Sequence, residues 1–345
     1  MDLLTAVTDN TASWTDQPLT PLDAIVCAQL AYYQMPQPTG TLAELATFQP
    51  LADYTAGTMD ANRGAQLLAV LSSNPRYQAI TWLDQYTEVD PDAEIQFGSL
   101  MLQLPTGEYI LSFRGTPATT VGWKEDLNMT YEHVVPAQQL ALTTFTQLRQ
   151  AYGGQWYLTG HSKGGNLATF VGLAAPNFQR QAIRGIYNFD GPGFLQQTAR
   201  FEAAFNQLGA RYHKYVPSQS LIGLLLEDRT DYHVVLSRGL GIAQHNLFNW
   251  EFDGANLVLV PKLAPLAITT KDKIDQWLID LPPRDRQAFL ATAYAVTRQA
   301  RLNHLKELQN PTMVKTLYQV SRHDPELKQL TEKVLRTFLQ TWLPK

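Results

Sequence analysis

A single cysteine, Cys27, stands in 345 residues, so the chain forms no internal disulfide and builds no multi-cysteine metal site. It lies in Ile25-Val26-Cys27-Ala28, an apolar run that predicts a small core residue rather than a reactive thiol. Charge is equally sparse. Charged residues make up 17%, and 27 basic against 31 acidic side chains give a net charge of -4. That balance raises no large positive field, which argues against a nucleic-acid partner. No run approaches the ~20 apolar residues that span a bilayer. The opening Met1-Asp2-Leu3-Leu4 lacks the basic and apolar regions of a secretory signal, so a cytoplasmic location without a transmembrane segment is expected. Repeats and low-complexity tracts are lacking too, which excludes solenoids. Nothing in the chain implies a metal or an organic cofactor.

What is present is a 45% hydrophobic chain with an alternating pattern. Residues 21–34 predict a helix capped by Thr20 with Pro21 in its first turn, and residues 63–72 predict a second. Short β-branched or aromatic runs at 77–82, 98–104 and 109–113 predict strands, the last two joined through Pro105-Thr106-Gly107-Glu108 as a hairpin. Strands and helices then alternate: helix 136–152, strand 156–159, helix 164–174, strand 185–189, helix 198–208 and strand 211–216. Residues 234–236 and 257–260 offer further strand pieces. This order predicts βαβ units in a mostly parallel sheet. Beyond about Pro261 only helices follow, at 271–279, 284–300, 311–322 and 325–342. The division is therefore residues 1–262 and a helical extension or cap, 263–345. The apolar stripe of Val334, Phe338 and Trp342 predicts packing on the core or on a second copy of the chain, or a cap over a substrate pocket.

Gly160-His161-Ser162-Lys163-Gly164 fits G-x-S-x-G, and its setting between a strand and an Ala/Leu-rich helix is the one that the motif requires. The fold predicted is an α/β-hydrolase, with Ser162 as nucleophile. A serine hydroxyl needs a base, usually a histidine oriented by a carboxylate, in the chain order Ser, acid, His. Of His213, His233 and His245, the first two fall in strand-like runs. His245 sits in a glycine-bearing loop late in the core and is preferred. For the acid, Asp190 ends the strand after the nucleophile helix, at the edge where active sites of such sheets lie. It is preferred over Glu227, against the alternative that it only caps the Gly191-Pro192-Gly193 turn. Two N–H donors for an oxyanion are expected from Lys163 and Thr116, the Thr116 hydroxyl adding a third. Asp126 is placed to accept from that hydroxyl or to pair with Arg114.

Leu111-Ser112-Phe113-Arg114-Gly115-Thr116, Trp123-Lys124-Glu125-Asp126-Leu127 and Thr159-Gly160-His161-Ser162-Lys163-Gly164-Gly165 together resemble the class 3 (fungal-type) lipases. Asn188-Phe189-Asp190-Gly191-Pro192-Gly193, Ser220-Leu221-Ile222-Gly223 and Gln244-His245 are similar to a bacterial branch of lipase-like proteins. The resemblance covers roughly residues 20–260. It implies attack by Ser162, His245 as base, and Thr116 with Lys163 as the oxyanion hole. Where that family carries its aspartate, this chain has Ser220-Leu221-Ile222-Gly223. The acid is thus Asp190 on the preceding strand, or Ser220 assists the histidine.

These residues predict a serine hydrolase acting on a carboxylic ester or lipid through an acyl-enzyme. Two other readings stay open. One is a non-catalytic lipase-like binding or scaffold protein. The other is an acyltransferase or thioesterase using the same serine. Residues 117–135 are candidate lid material.

Overall fold

The structure is a computed structural model that describes residues 1–48, 50–116, 120–194 and 198–299, with Gln329, Lys333 and Arg336 beyond them. The helix predicted at 311–322 lies outside the described residues, as does the one at 325–342 apart from Gln329, Lys333 and Arg336, and with it the apolar stripe of Val334, Phe338 and Trp342.

The strands β1 (Gly40–Thr41), β2 (Thr81–Asp90), β3 (Ile95–Gln103), β4 (Tyr109–Phe113), β5 (Trp156–His161), β6 (Ile183–Phe189), β7 (Tyr212–Pro217) and β8 (His233–Val235) lie side by side in chain order. From β1 to β4 neighbours are antiparallel, and from β4 to β8 they are parallel. This mixed sheet with flanking helices is an α/β-hydrolase architecture. The parallel strands are joined through α5 (Thr120–Asn128) and α6 (Pro136–Tyr152), then α7 (Lys163–Ala174) and α8 (Asn177–Arg180), then α9 (Thr198–Leu208). Before them come α1 (Leu3–Asp9), α2 (Pro21–Leu30), α3 (Ala52–Thr55) and α4 (Ala61–Ser73), and after them α10 (Pro265–Asp280) and α11 (Pro283–Gln299).

Alternating side chains feed two cores, as a period of two demands. Leu100 and Leu102 of β3 and Ile110 of β4 join Leu22 and Ile25 of α2 on one face. Met101, Leu111 and Phe113 join Phe145 of α6 and Leu167 of α7 on the other. The β2 strand starts later than the 77–82 run predicts and extends to Asp90, because its outer face is solvated: Val89 is 53% exposed. An antiparallel strand near a sheet edge needs only one apolar face, so its signal is weak. Residues 257–260 do not form a full strand of the main sheet. Asn256–Leu257 pairs with Phe252–Asp253 in a separate ribbon, and Leu259 alone bridges to Val235.

The helix α2 is held by a buried charge cluster. Thr20 caps it in a capping box with Asp23. Both carboxylate oxygens of Asp23 then take the Arg76 guanidinium, at 2.8 Å from Nε and 2.7 Å from Nη2, and the Tyr77 hydroxyl donates at 2.9 Å. Trp14 covers the guanidinium face at 3.9 Å. The Thr159 hydroxyl of β5 donates to the Ala24 carbonyl at 3.0 Å, fixing α2 against the strand that leads to Ser162. Among the described residues no helix is long and apolar enough to cross a membrane.

Removing one member of a fully buried ion pair typically costs about 3–5 kcal/mol, because the partner stays buried and uncompensated. Asp23→Asn should therefore lower the urea midpoint sharply. A variant within experimental error of the parent would show that the cluster does not hold α2.

Candidate active site

The turn from β5 into α7 places Ser162 at φ 58° and ψ -133°. A positive φ is uncommon for a residue with a Cβ and costs of order 1–3 kcal/mol, so the surroundings must impose it. They do so by crowding. A Cβ on Gly164 would fall 2.0 Å from the Phe113 carbonyl oxygen, and one on Gly115 would fall 2.5 Å from the His161 carbonyl oxygen. The Ser162 N–H meanwhile donates to the Phe189 carbonyl at 2.9 Å. The chain thus passes over the C-terminal ends of β4, β5 and β6 at one point.

Asp190 follows β6, also at positive φ (51°), and is fully buried. Its Oδ2 lies 2.6 Å from Nδ1 of His245. Its Oδ1 accepts from the Ser220 hydroxyl at 2.5 Å and the Gly223 N–H at 3.1 Å. The segment that lacks a carboxylate therefore supplies two donors to the carboxylate one strand away. Asp190 touches the histidine and Ser220 touches Asp190. Glu227 is elsewhere, in a buried pair with Lys214. His213 stacks on Tyr187 and His233 on Tyr215, and neither lines the cavity that holds Ser162. With Nδ1 donating to the carboxylate, Nε2 of His245 is left as the acceptor. Ser162 and His245 share the cavity wall, although no hydrogen bond joins their side chains.

Thr116 and Lys163 line the same cavity. The Thr116 hydroxyl donates to Asp126 Oδ2 at 2.6 Å, the contact expected between these two residues. Burial pushes the Asp126 carboxyl up to about 6, opposed by the Lys163 ammonium 3.7 Å from Oδ1. Lys163 turns its own side chain inward, where Nζ donates to Glu125 at 2.8 Å, to the Gln96 carbonyl at 2.7 Å and to the Gln96 side chain at 2.9 Å. Glu125 also accepts from the N–H groups of Gln96 and Ala137 at 3.0 and 2.8 Å. These bonds tie α5 to β3 and to the start of α6, and Leu127 and Met129 of the 117–135 segment line the cavity. Residues 117–119 lie outside the described residues.

The cavity measures about 440 Å³. Its apolar side is built by Leu127, Met129 and Leu225 together with Ile274, Trp277 and Leu278 of α10. The extension beyond residue 262 thus contributes a wall of the cavity. Among the described residues no group of three or more His, Cys, Asp or Glu is placed to hold a metal ion. Sequence reasoning missed Tyr32 and the contacts of His161 beside the base, since an aromatic pair at a helix end carries no signal of its tertiary partner.

No curated protein matches the chain. The sequence model of the Mbeg1-like family matches residues 71–295. That span starts after α2, contains Thr116, Ser162, Asp190 and His245, and runs through α10 into α11, beyond the limit near residue 260 that the motifs imply. The chain belongs to the Mbeg1-like family.

Proposed function

We propose that the protein is a serine hydrolase of carboxylic esters, lipase- or esterase-like in chemistry. The observation that carries this reading is the 2.6 Å contact of Asp190 with His245 on the wall of the cavity that also holds Ser162. Membership of a lipase-like family related to the class 3 lipases supports it at the level of a hydrolase. In this mechanism His245 Nε2 takes the proton of Ser162 Oγ as the oxygen attacks the ester carbonyl. Asp190 holds the imidazole in the Nδ1–H tautomer and stabilises the imidazolium that forms. The N–H groups of Thr116 and Lys163 receive the oxyanion, each typically contributing ~3 kcal/mol. The alcohol leaves with the proton from His245, and water then attacks the acyl-enzyme by the same route.

Ser162→Ala should abolish both turnover of p-nitrophenyl esters and labelling by a fluorophosphonate probe. Wild-type activity in that variant would sink the nucleophile assignment. Failure of the unaltered protein to label with probes of several sizes would instead favour a scaffold. Asp190→Asn should lower kcat roughly 10³–10⁴-fold, the effect of leaving the base in the wrong tautomer. A folded Asp190→Asn protein at near-parental rate would remove that residue from the triad.

The apolar wall gives a second expectation. Apolar contacts worth ~1–3 kcal/mol correspond to roughly 10–200-fold in kcat/KM. Trp277→Ala should lose on that order with long-chain esters while acetyl esters are little affected. Equal losses across the series would mean that α10 does not line the acyl site.

A further inference from the structure

We propose that His161 is a positioning residue for the general base: its Nε2–H, held in that tautomer by Tyr32, ties the backbone of His245 to the turn that carries the nucleophile. The inference rests on the assignment of Ser162, His245 and Asp190 above, and goes beyond it by giving a role to two residues outside the triad.

His161 is the last residue of β5 and is buried. Its Nε2 lies 2.8 Å from the His245 carbonyl oxygen. A carbonyl only accepts, so Nε2 carries the proton. Burial, with His245 close by, holds the His161 ring well below its ordinary proton affinity. The ring is therefore neutral, and Nδ1 is an acceptor. The Tyr32 hydroxyl, 3.0 Å away, donates to it, and the same hydroxyl lies 3.3 Å from the His161 carbonyl. The two imidazoles are in face contact, with centroids 4.4 Å apart and planes inclined by 38°.

The arrangement answers a mechanical need. Ser162 is carried by the sheet, whereas His245 ends a short 3₁₀ turn, Gly241–His245. Asp190 fixes the imidazole at Nδ1, which leaves the main chain of the base to be held by something else. His161 supplies that hold from the residue next to the nucleophile, so base and serine share one reference frame. A displacement of about 1 Å between reacting groups can cost on the order of 10²-fold in rate. Neutrality matters as well. When His245 takes the serine proton, a charged ring at this contact distance would oppose it, and a neutral one does not.

Three variants of the full-length chain test this, with kcat and KM on a p-nitrophenyl ester and the rate of fluorophosphonate labelling as readouts. His161→Phe keeps a ring but loses both hydrogen bonds. It should lower kcat and the labelling rate roughly 10–100-fold with KM little changed. His161→Gln, whose amide can donate to the His245 carbonyl and accept from Tyr32, should recover most of that loss. Tyr32→Phe should lower kcat in the same direction by a smaller factor. Parental kcat in His161→Phe or in Tyr32→Phe would overturn the proposal, as would an equal loss in His161→Gln and His161→Phe. Were His161→Phe unable to fold, the Gln and Tyr32 variants would still decide it. The triad assignment fails separately, by an absence of labelling in the unaltered protein.

Discussion

At the junction of β5 and α7 the backbone turns so tightly that a serine is forced to φ 58°, and the geometry around the cavity follows from that turn. It requires a glycine at 164 so that α7 can pass within contact of Phe113, and a glycine at 115 so that the β4 end can pass the His161 carbonyl. Once those approaches are allowed, the ends of three parallel strands converge. Thr116, Ser162 and Asp190 then leave the sheet along the same edge. The sheet's parallel half thus acts as a jig: hydrogen-bond register sets the spacing of the strand ends, and each end carries one of these three residues.

That jig is stabilised against the charges it buries. Lys163 cannot be left unpaired beside Ser162, because an isolated ammonium in such a setting costs several kcal/mol. Glu125 neutralises it and also accepts from the N–H groups of Gln96 and Ala137. The result joins β3, the start of α6 and the nucleophile turn through one carboxylate. Asp190 follows the same rule, with donors from His245, Ser220 and Gly223 around its two oxygens. Three donors around each carboxylate restrain it, and a buried polar group paired in this way holds one geometry.

The parts of the fold that a linear reading recovers are those whose signal is local. Helix α6 ends at Gly153-Gly154, and α2 begins at Thr20-Pro21; both show in the chain because caps and glycines act on adjacent residues. The nucleophile motif shows for the same reason. His245 and Asp190 stand out in the chain by position, one in a glycine-bearing loop and the other at a strand end, but the sequence leaves Ser220 and Glu227 open beside Asp190. What the sequence hides is anything decided across the fold. Ser220 looks like a replacement for a carboxylate, yet it serves as a donor to one. Beta strand 2 was misplaced because its solvated face dilutes the period-two pattern, and Tyr32 gave no sign that it reaches the residue before the nucleophile.

The segment after residue 262 takes part in the cavity, as the cap reading of the helical extension expects. Strand signal stops there, so a boundary between core and appendage is natural from the chain alone. A cavity, however, is closed by whatever surface completes it. Ile274, Trp277 and Leu278 of α10 complete this one, and Met129, Val135, Leu226 and Leu278 pack into a small cluster of their own. An apolar helix face must be buried against another apolar surface, and here part of that surface is the cavity itself. The family match runs through the same helix. A chain ending at residue 262 would keep the serine, the histidine and the aspartate, but it would open the apolar wall to water. The unit that encloses the cavity is therefore longer than the unit that carries Ser162, Asp190 and His245, and α10 belongs only to the longer one.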